Sequence, residues 1–600
     1  MNNSNLDYLK FIESKNSKLI LPDFSNDNTK KKFITFPYPY MNGKLHLGHA
    51  LTIQNADMQA RFYKLCGYNV LFPFAYHGSG MPIVSSALKL SRELALAKET
   101  RNVIDNNYIL SLPTNNQLRI LYEMKIPLEE INNFTDPYYW IIYFSKEAKN
   151  DLEKFDTYID FSRSFFTTDL NFHYDSFIKW QFDCLIKKEL VYKGIRNMIY
   201  SELDKQPCAD HDRSIGENVE PIKIIFSIIN NFLVTHARND ITKDSFVVFG
   251  KSTYVEIEFN HQQTITSLKS YNNIRHQYPT IFIRDVSFEE LNNNKLIVFN
   301  ENIPEFGTSL FLVNNDNLFF REQIITNTDQ FEYYEPETTV ISRSGDICVV
   351  ATTEQWFIDY KNQNIKNSVI NFIKNEFVSP INSVKESLIT YTEALHEKAC
   401  SRNFGLGTKI PGTNEIIDSL SDSTIYMAYY TIAHIITQIP TDLITNELYD
   451  YIFLGIGEQT NQLAQKARNE FLYWYPVDIR VSGKDLIPSH LTYALFNHMA
   501  IWNDCNYMIK SYYVNGHLML NGEKMSKSTG NFLTLEDSIN MYGSNAVRFA
   551  LAFNDGLSDG NFTDANVHTA ISKLTNELQF IHNNAGLILH ATSTNNLQFE

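Results

Sequence analysis

A short apolar run that ends at two prolines constrains the fold of this chain more than any other feature. The run Phe-Ile-Thr-Phe at residues 33–36 predicts a buried strand, and Pro37 and Pro39 end it because proline has no backbone N–H to donate to a sheet. Gly43 then permits a tight turn, and apolar residues at helical spacing run from Leu47 through Ala60. A buried strand, a loop and a helix in this order are typical of the α/β class.

The composition along the chain predicts that a β-rich segment interrupts this α/β core. A chain of 600 residues exceeds what one hydrophobic core organises, so roughly three to five units of domain size are expected. Residues 84–160 have helical character, whereas residues 224–318 are rich in β-branched and aromatic runs. Helical spacing returns at 365–377 and 423–438, and again at 567–587. The middle therefore looks like a separate insert.

Charge and hydropathy exclude several classes of function. Lys plus Arg total 52 against 68 Asp plus Glu, and the net charge of -16 argues against sequence-blind adhesion to nucleic acid, so RNA contact requires a local basic patch. The apolar stretches fall short of the ~20 residues of a membrane span. The polar N-terminus lacks the pattern of a targeting signal. We expect a cytoplasmic protein with no membrane role.

The six cysteines are widely spaced and form no CxxC pair, which argues against a disulfide framework and a zinc ribbon. Cys208 lies close to Asp210 and His211, but a zinc site needs three or four clustered ligands and no second cysteine is near in sequence. We predict that the protein binds no zinc and has no resident metal.

The segment His46-Leu47-Gly48-His49 lies at the predicted strand-to-helix corner. Two imidazoles three residues apart share one face at the start of the helix, where unpaired N–H groups and the helix dipole favour an anion. Gly48 removes a side chain where a flat base could approach. The alternative is a pair of histidines that only cap the helix.

A second polar segment, Lys524-Met525-Ser526-Lys527-Ser528, offers two cations and hydroxyl groups in one loop. Such a loop suits polyphosphate charge. Alone, it would be interpreted as a solvated surface loop. Its occurrence together with the first segment, each at a strand end, favours a shared function.

The two segments match the HxGH and KMSKS signatures, so the chain resembles class I aminoacyl-tRNA synthetases. Longer blocks at residues 36–43, 72–83, 206–213 and 475–485 are similar to leucyl-tRNA synthetases of the cytosolic eukaryotic or archaeal type. The Pro-Pro-Asn approach of the valyl and isoleucyl relatives is missing, as is the third block of the methionyl relative.

The resemblance implies a role for each signature residue. His46 and His49 would contact the ATP phosphate in the transition state, and Lys524 and Lys527 would neutralise the β- and γ-phosphates with Mg²⁺ bridging them. The implied ATP-binding residues are Gly48, Gly483, Asp485, Met525, Ser526 and Ser528. The implied leucine-binding residues are Phe36, Tyr38, His77, Ser423, Tyr426 and His490.

The fold class that the resemblance implies is α/β, with a Rossmann-like parallel sheet split by a β-rich insertion and followed by a helical stub. We divide the chain into the first half of the catalytic domain (1–220), a reduced editing-type insertion (221–333) and the second half of the catalytic domain (334–520). The KMSKS loop with a stem-contact region (521–560) and the start of an anticodon-binding helical domain (561–600) complete the division.

The sequence differs from leucyl-tRNA synthetases in its middle insertion and after the second signature, and each difference predicts a missing or weakened activity. The editing domain of leucyl enzymes has a threonine-rich strand and a Gly-Thr-Gly segment that leads to an aspartate, but only Lys251-Ser252-Thr253 and Gly307-Thr308-Ser309 come near them. We therefore expect no hydrolysis of mischarged tRNA. The chain also stops about 70 residues after the second signature, from which we expect weak tRNA binding.

The function predicted from the sequence is activation of leucine with ATP and its transfer to tRNA-Leu, without post-transfer editing. One alternative is a non-catalytic relative that binds leucine and ATP for regulation, but a pure binder has no need of both histidines and both lysines. A class I synthetase for another aliphatic amino acid is a further alternative.

Overall fold

The protein divides into two compact units. The computed structural model describes residues 3–13, 30–100, 104–229, 232–235, 245–249, 253–287, 290, 310–314, 330–525, 531–552 and 556–586. The first unit contains Met1–Tyr192, Ile358–Cys400 and Gly405–Glu600, and the second contains Lys193–Phe357 and Ser401–Phe404. The predicted insertion at 221–333 lies within the second unit, which is longer at both ends. The division into five ranges stays a prediction.

The strands that the structure describes are β1 (Lys31–Thr35), β2 (Asn69–Leu71), β3 (Val191–Ser201), β4 (Gln206–Pro207), β5 (Arg213–Ile215), β6 (Pro221–Ile229), β7 (Phe232–Thr235), β8 (Ser245–Phe249), β9 (Tyr254–Phe259), β10 (Gln262–Ser267), β11 (Thr280–Val286), β12 (Leu310–Asn314), β13 (Gln330–Pro336), β14 (Ile341–Ser342), β15 (Val349–Ile358), β16 (Lys398–Ala399), β17 (Ser401–Arg402), β18 (Ile416–Ile417), β19 (Ile479–Gly483), β20 (Tyr512–Asn515), β21 (Leu518–Leu520), β22 (Glu523–Lys524) and β23 (Gly560–Phe562).

The α-helices within the described residues are α1 (Asn3–Glu13), α2 (Leu47–Leu65), α3 (Met81–Thr100), α4 (Asn106–Ser111), α5 (Gln117–Glu123), α6 (Leu128–Ile131), α7 (Pro137–Lys154), α8 (Phe172–Lys187), α9 (Leu268–Ile274), α10 (Gln363–Asn375), α11 (Asn382–Ala394), α12 (Tyr426–Tyr430), α13 (Ala433–Ile436), α14 (Asn446–Tyr449), α15 (Gln462–Trp474), α16 (Thr492–Trp502), α17 (Leu535–Tyr542), α18 (Ser544–Leu551) and α19 (Asp564–Asn583).

A four-stranded parallel sheet forms the centre of the first unit. Its order is β2-β1-β19-β20, and each neighbouring pair is parallel, with Ile34 opposite Ile479 and Arg480 opposite Tyr512. The chain of the second unit lies between β2 and β19 in sequence. The predicted α/β fold with a split parallel sheet is therefore confirmed. Because β1 has β2 on one side and β19 on the other, the strand order reverses here, where ligands of such sheets bind.

The strand-to-helix corner forms as the sequence predicts. Phe33, Ile34 and Thr35 at the end of β1 are fully buried, and helix α2 begins at Leu47. The helix continues five residues beyond the predicted end at Ala60, to Leu65. Its apolar face packs into the hydrophobic core of the first unit.

The second unit is β-rich, as its composition predicts. Strand β9 pairs antiparallel with β10 and β11, and β6 pairs antiparallel with β13. Phe226, Ile257 and Tyr333 from these strands are buried in one hydrophobic cluster. In the part of the chain that the structure describes, we find no helix with the length and hydropathy of a membrane span.

Candidate active site

A cavity of about 450 Å³ opens at the carboxyl ends of three neighbouring strands of the parallel sheet. Residues 36–40 follow β1, Asp485 follows β19, and residues 516–518 follow β20, and all of them line this cavity. Its position is the one expected for a ligand site where the strand order of a parallel sheet reverses.

The cavity brings together candidate residues from five separate parts of the chain. These are Phe36, Tyr38, His46, Gly48, His49, His77, Ser423, Tyr426, Gly483, Asp485, His490, Lys524 and Met525. Three further candidates, Ser526, Lys527 and Ser528, lie outside the described residues. The roles of all of them stay predictions.

The two histidines of the first signature cap their own helix. Nδ1 of His46 accepts a hydrogen bond from the Gly48 N–H at 3.0 Å, and Nδ1 of His49 accepts a long one from the His46 N–H at 3.5 Å. The two rings stack with 3.8 Å between centroids. Because Nδ1 accepts in both rings, each neutral ring carries its proton on Nε2, which is a donor suited to phosphate oxygens. Capping and ligand binding are therefore compatible here.

Gly48 permits close packing between the two signatures. A Cβ atom at this position would lie 2.9 Å from Cε1 of His46 and 3.2 Å from Cε of Met525. The Met525 side chain thus reaches the helix start that carries the histidines, and the two signature segments meet at Gly48.

Both ends of the second signature are anchored by hydrogen bonds. Before it, β21 and β22 form a hairpin whose turn, Asn521 and Gly522, has positive φ values of 53° and 83°. After it, the Leu535 N–H donates to the Leu45 carbonyl at 2.8 Å, and the Leu47 N–H donates to the Leu533 carbonyl at 3.3 Å. The segment after the second signature therefore pairs directly with the first.

A charge cluster supports this pairing. Lys44, which is 8% exposed, lies 2.8 Å from Glu536 of α17 and 3.6 Å from Glu147 of α7. Burial and, to a smaller extent, the charge of Glu536 raise the pKa of nearby Asp151 to about 7, although Lys44 opposes the shift. Lys44 therefore links the loop between β1 and α2 to helices α7 and α17, and the sequence gave no indication of these contacts.

The candidate leucine residues form an aromatic wall. The ring centroids of Tyr38 and Tyr426 are 4.0 Å apart, and those of Tyr38 and His77 are 4.8 Å apart. The Tyr426 hydroxyl donates to the Phe36 carbonyl at 3.2 Å, and burial raises its pKa, so it stays protonated. Nδ1 of His77 lies 3.2 Å from Oγ1 of Thr167, which holds the ring in place.

The candidate ribose-binding side of the cavity is more exposed to solvent than the aromatic wall. Asp485 lies in the 3₁₀ turn Lys484–Leu486, and its Oδ1 is 3.6 Å from Nε2 of His517. His517, Asn515 and Tyr40 also line the cavity, although the sequence did not single them out. The sequence could have indicated them, because Tyr40 lies in the block at residues 36–43 and the other two lie at or just after the end of a strand.

No group of three or more His, Cys, Asp or Glu side chains within the described ranges is arranged to hold a metal ion. The Cys208 thiol donates to the Asp212 carbonyl at 3.6 Å, and Asp210 pairs with Arg213 at 2.6 Å. The absence of zinc stays a prediction.

Three family models match the chain. They are described as tRNA synthetases class I (I, L, M and V), matching residues 121–421, class I (C) catalytic domain, matching 466–572, and class I (M), matching 32–110. The first of these alone matches half of the chain. The chain therefore belongs to the class I tRNA synthetases, and its fold is the one that the sequence predicts.

Proteins with similar sequences identify the family within this class. The chain is 37% identical to a probable cytoplasmic leucine–tRNA ligase of Vairimorpha ceranae, over 95% of this chain and 69% of the relative. It is 38% identical to the corresponding Enterocytozoon bieneusi protein, over 96% of this chain and 70% of the relative. Among solved structures, a methionyl-tRNA synthetase of Mycobacterium tuberculosis in complex with methionyl-adenylate is similar to this chain. The similarity covers 90% of this chain and 68% of the solved chain, with 14% sequence identity and a TM-score of 0.46. The chain belongs to the leucine–tRNA ligase family.

Proposed function

We propose that this chain activates leucine with ATP and transfers it to tRNA-Leu in the cytoplasm. The observation that carries the proposal is that the two signature segments meet at Gly48, beside a cavity lined by the candidate leucine residues. Family membership and the names of the relatives, which are cytoplasmic leucine–tRNA ligases, support it.

The proposed chemistry needs positioning and positive charge but no enzyme nucleophile. A leucine carboxylate oxygen forms a bond to the α-phosphorus, and the bond from that phosphorus to pyrophosphate breaks. His46 and His49 offer Nε2–H donors at the helix start, and Lys524 adds a cation. Lys527 would add a second cation. Stabilisation of charge that develops in the transition state would thus carry the catalysis.

Mg²⁺ would enter this site as part of the ATP substrate. Among the described residues that line the cavity, Asp485 is the only carboxylate. Mg²⁺ in nucleotide sites is commonly held by phosphate oxygens and water with one or two carboxylates. The residues present fit a metal that the substrate phosphates hold, and Asp485 would accept hydrogen bonds from the ribose hydroxyls.

Leucine would lie against the aromatic wall. Phe36, Tyr38 and Tyr426 supply apolar surface for an isobutyl group, and Ser423 and His490 supply polar atoms. His77 would border the same space, with its ring held by Thr167.

The test is ATP–pyrophosphate exchange with leucine, isoleucine, valine and methionine. Exchange that depends on leucine at least tenfold more than on the other three supports the proposal. Exchange driven by another amino acid would identify a different synthetase. Leucine and ATP binding without any exchange would identify a regulatory binder.

We further propose that the second unit does not hydrolyse mischarged tRNA. The sequence offered two segments as remnants of an editing site, at residues 251–253 and 307–309. Of these, Lys251, Ser252 and residues 307–309 lie outside the described residues. The described part of β10 does contain the buried threonines Thr264 and Thr266. Deacylation of isoleucyl- or norvalyl-tRNA-Leu well above the spontaneous rate, abolished by Thr264→Ala or Thr266→Ala, would refute this part of the proposal.

A further inference from the structure

One wall of the cavity is bonded to a segment that follows the second signature in sequence. The wall consists of residues 516–518, which come directly after β20. The Gly516 N–H donates to the Gly556 carbonyl at 3.0 Å, and the Gly560 N–H donates to the His517 carbonyl at 2.8 Å. Backbone hydrogen bonds to two positions of the later segment therefore hold this wall.

The later segment, residues 556–560, is named the supporting segment below, and it lies very close to the wall. A Cβ atom on Gly516 would lie 2.2 Å from the carbonyl oxygen of Ser558 and 2.8 Å from that of Leu557. These are backbone atoms, which cannot turn aside as the end of a flexible side chain can. Glycine permits this close approach, so the supporting segment limits where the wall can lie.

Asp559 of the supporting segment is bonded to two segments that border the cavity. Its Oδ1 accepts a hydrogen bond from the His517 backbone N–H at 2.8 Å and another from Nζ of Lys484 at 2.6 Å. Nζ of Lys484 also donates to the Leu557 carbonyl at 3.4 Å. The hydrogen bonds from Lys484 and from the His517 N–H lower the pKa of Asp559, so the carboxylate is charged at neutral pH. One carboxylate oxygen thus joins the residue after β19 to a residue after β20.

The residues that Asp559 holds are the neighbours of Asp485, the candidate ribose-binding carboxylate. Asp485 follows Lys484 directly in the 3₁₀ turn. Nε2 of His517 lies 3.6 Å from Oδ1 of Asp485, and Nδ1 of the same ring lies 3.6 Å from Oδ1 of Asp559. Asp485 and His517 line the cavity, whereas Lys484 and Asp559 are not among the lining residues. Asp559 therefore acts on a ligand through the residues that it holds.

We propose that Asp559 is a positioning residue that holds Asp485 in place for the ribose hydroxyls of ATP. This inference rests on the proposed function, which assigns ATP to the cavity. A carboxylate accepts well from a ribose hydroxyl only while its direction is maintained, because hydrogen bonds weaken steeply away from linearity. The Asp485 side chain is 56% exposed, so burial does not fix it. Its neighbours Lys484 and His517 supply the constraint, and Asp559 holds both of them.

Binding of ATP analogues that lack one ribose hydroxyl separates positioning from a general loss of structure. Calorimetry without leucine gives the Kd of ATP, 2′-deoxyATP and 3′-deoxyATP for the unaltered chain and for Asp559→Ala. The unaltered chain should bind at least one analogue about tenfold more weakly than ATP. In Asp559→Ala the Kd of ATP should rise about fivefold and that of this analogue should hardly change, so the preference for ATP falls to about twofold. A merely structural role would weaken all three nucleotides by the same factor.

A conservative variant and a distant variant complete the comparison. Asp559→Asn keeps an oxygen that can accept from the His517 N–H but loses the charge that attracts Lys484, so its preference for ATP should be intermediate. It also replaces Asp559→Ala if that variant fails to fold, as urea denaturation would show. Glu577→Gln changes an exposed carboxylate on α19 and should leave all three Kd values within twofold.

The outcomes distinguish this inference from the proposed function. An unchanged preference for ATP in folded Asp559 variants would overturn the inference, and so would equal weakening of all three nucleotides. Equal binding of the three by the unaltered chain would overturn it as well, because Asp485 would then not contact the ribose hydroxyls. Normal ATP binding without leucine-dependent exchange would instead refute the proposed function alone.

Discussion

The two units of this protein both bury polar side chains, but they arrange them differently. In the first unit Arg480 donates to Tyr426 and His490, which border an open cavity. In the second unit the Tyr333 hydroxyl lies 3.2 Å from Oγ of Ser270 and 3.4 Å from Oε2 of Glu335, and all three residues are buried. Tyr426 and His490 thus face space that a substrate can fill, whereas the three residues of the second unit contact one another.

This difference indicates where substitutions should affect activity and where they should affect stability. Polar groups that line a cavity are available to a ligand, so their loss should be felt in binding or rate. Polar groups that contact each other in the interior influence the free energy of unfolding. Four predictions test this separation, in order of decreasing effect.

The largest effect is expected for His49→Ala. Leucine-dependent ATP–pyrophosphate exchange should slow by on the order of 10² or more, because the interaction with phosphate strengthens as charge develops in the transition state. Leucine affinity, measured by calorimetry, should remain nearly intact. His582→Ala, on the exposed face of α19, is the control and should exchange normally. Equal losses of leucine affinity and rate would contradict the assigned role.

Glu335→Gln should stabilise the second unit in a pH-dependent way. Burial raises the pKa of Glu335 to about 7 from an ordinary 4.5. The carboxyl therefore favours the folded state fully below pH 4.5, and this contribution is lost as the pH rises to 7. At pH 8 the variant should be more stable by about 3 kcal/mol, and at pH 4 the two proteins should be equal.

Urea denaturation of both proteins at pH 4 and pH 8, followed by tryptophan fluorescence, measures this difference. Leucine activation by Glu335→Gln should match the unaltered chain at every pH. A stabilisation that is the same at both pH values would show that Glu335 is not the titrating group.

Gly48→Ala should reduce exchange about tenfold, since a methyl group would collide with the His46 ring and the Met525 side chain. Gly194→Ala in the second unit is the matched control. A Cβ atom there would lie no closer than 3.5 Å to its neighbours, so exchange should stay within twofold. A normal rate for Gly48→Ala would show that the two signatures do not need this close contact.

The smallest effect is expected for Glu536→Gln, which weakens the ion pair with Lys44. Exchange should fall about threefold, because a half-buried pair that joins the two signatures contributes little more than ~1 kcal/mol. Glu332→Gln removes the exposed pair with Lys223 in the second unit and should leave exchange unchanged. Equal effects of the two variants would break the distinction between the units.

The sequence by itself determined the local features of the active site. The strand that ends before Pro37 and the helix that begins at Leu47 follow from interactions within a few residues. The same holds for the HxGH and KMSKS patterns that indicated the family. Such signals can be found in sequence because the atoms involved are close along the chain.

Only the tertiary structure decided which distant residues meet. The order of the four parallel strands, the contact of Met525 with Gly48 and the bonds of Lys44 to Glu147 and Glu536 join residues up to some 490 positions apart. Arg480 belongs to a sequence block that indicated the family, yet the sequence did not reveal that its side chain donates to His490. Alternation along a strand tells which residues share a face, but strand order and side-chain packing determine what that face contacts.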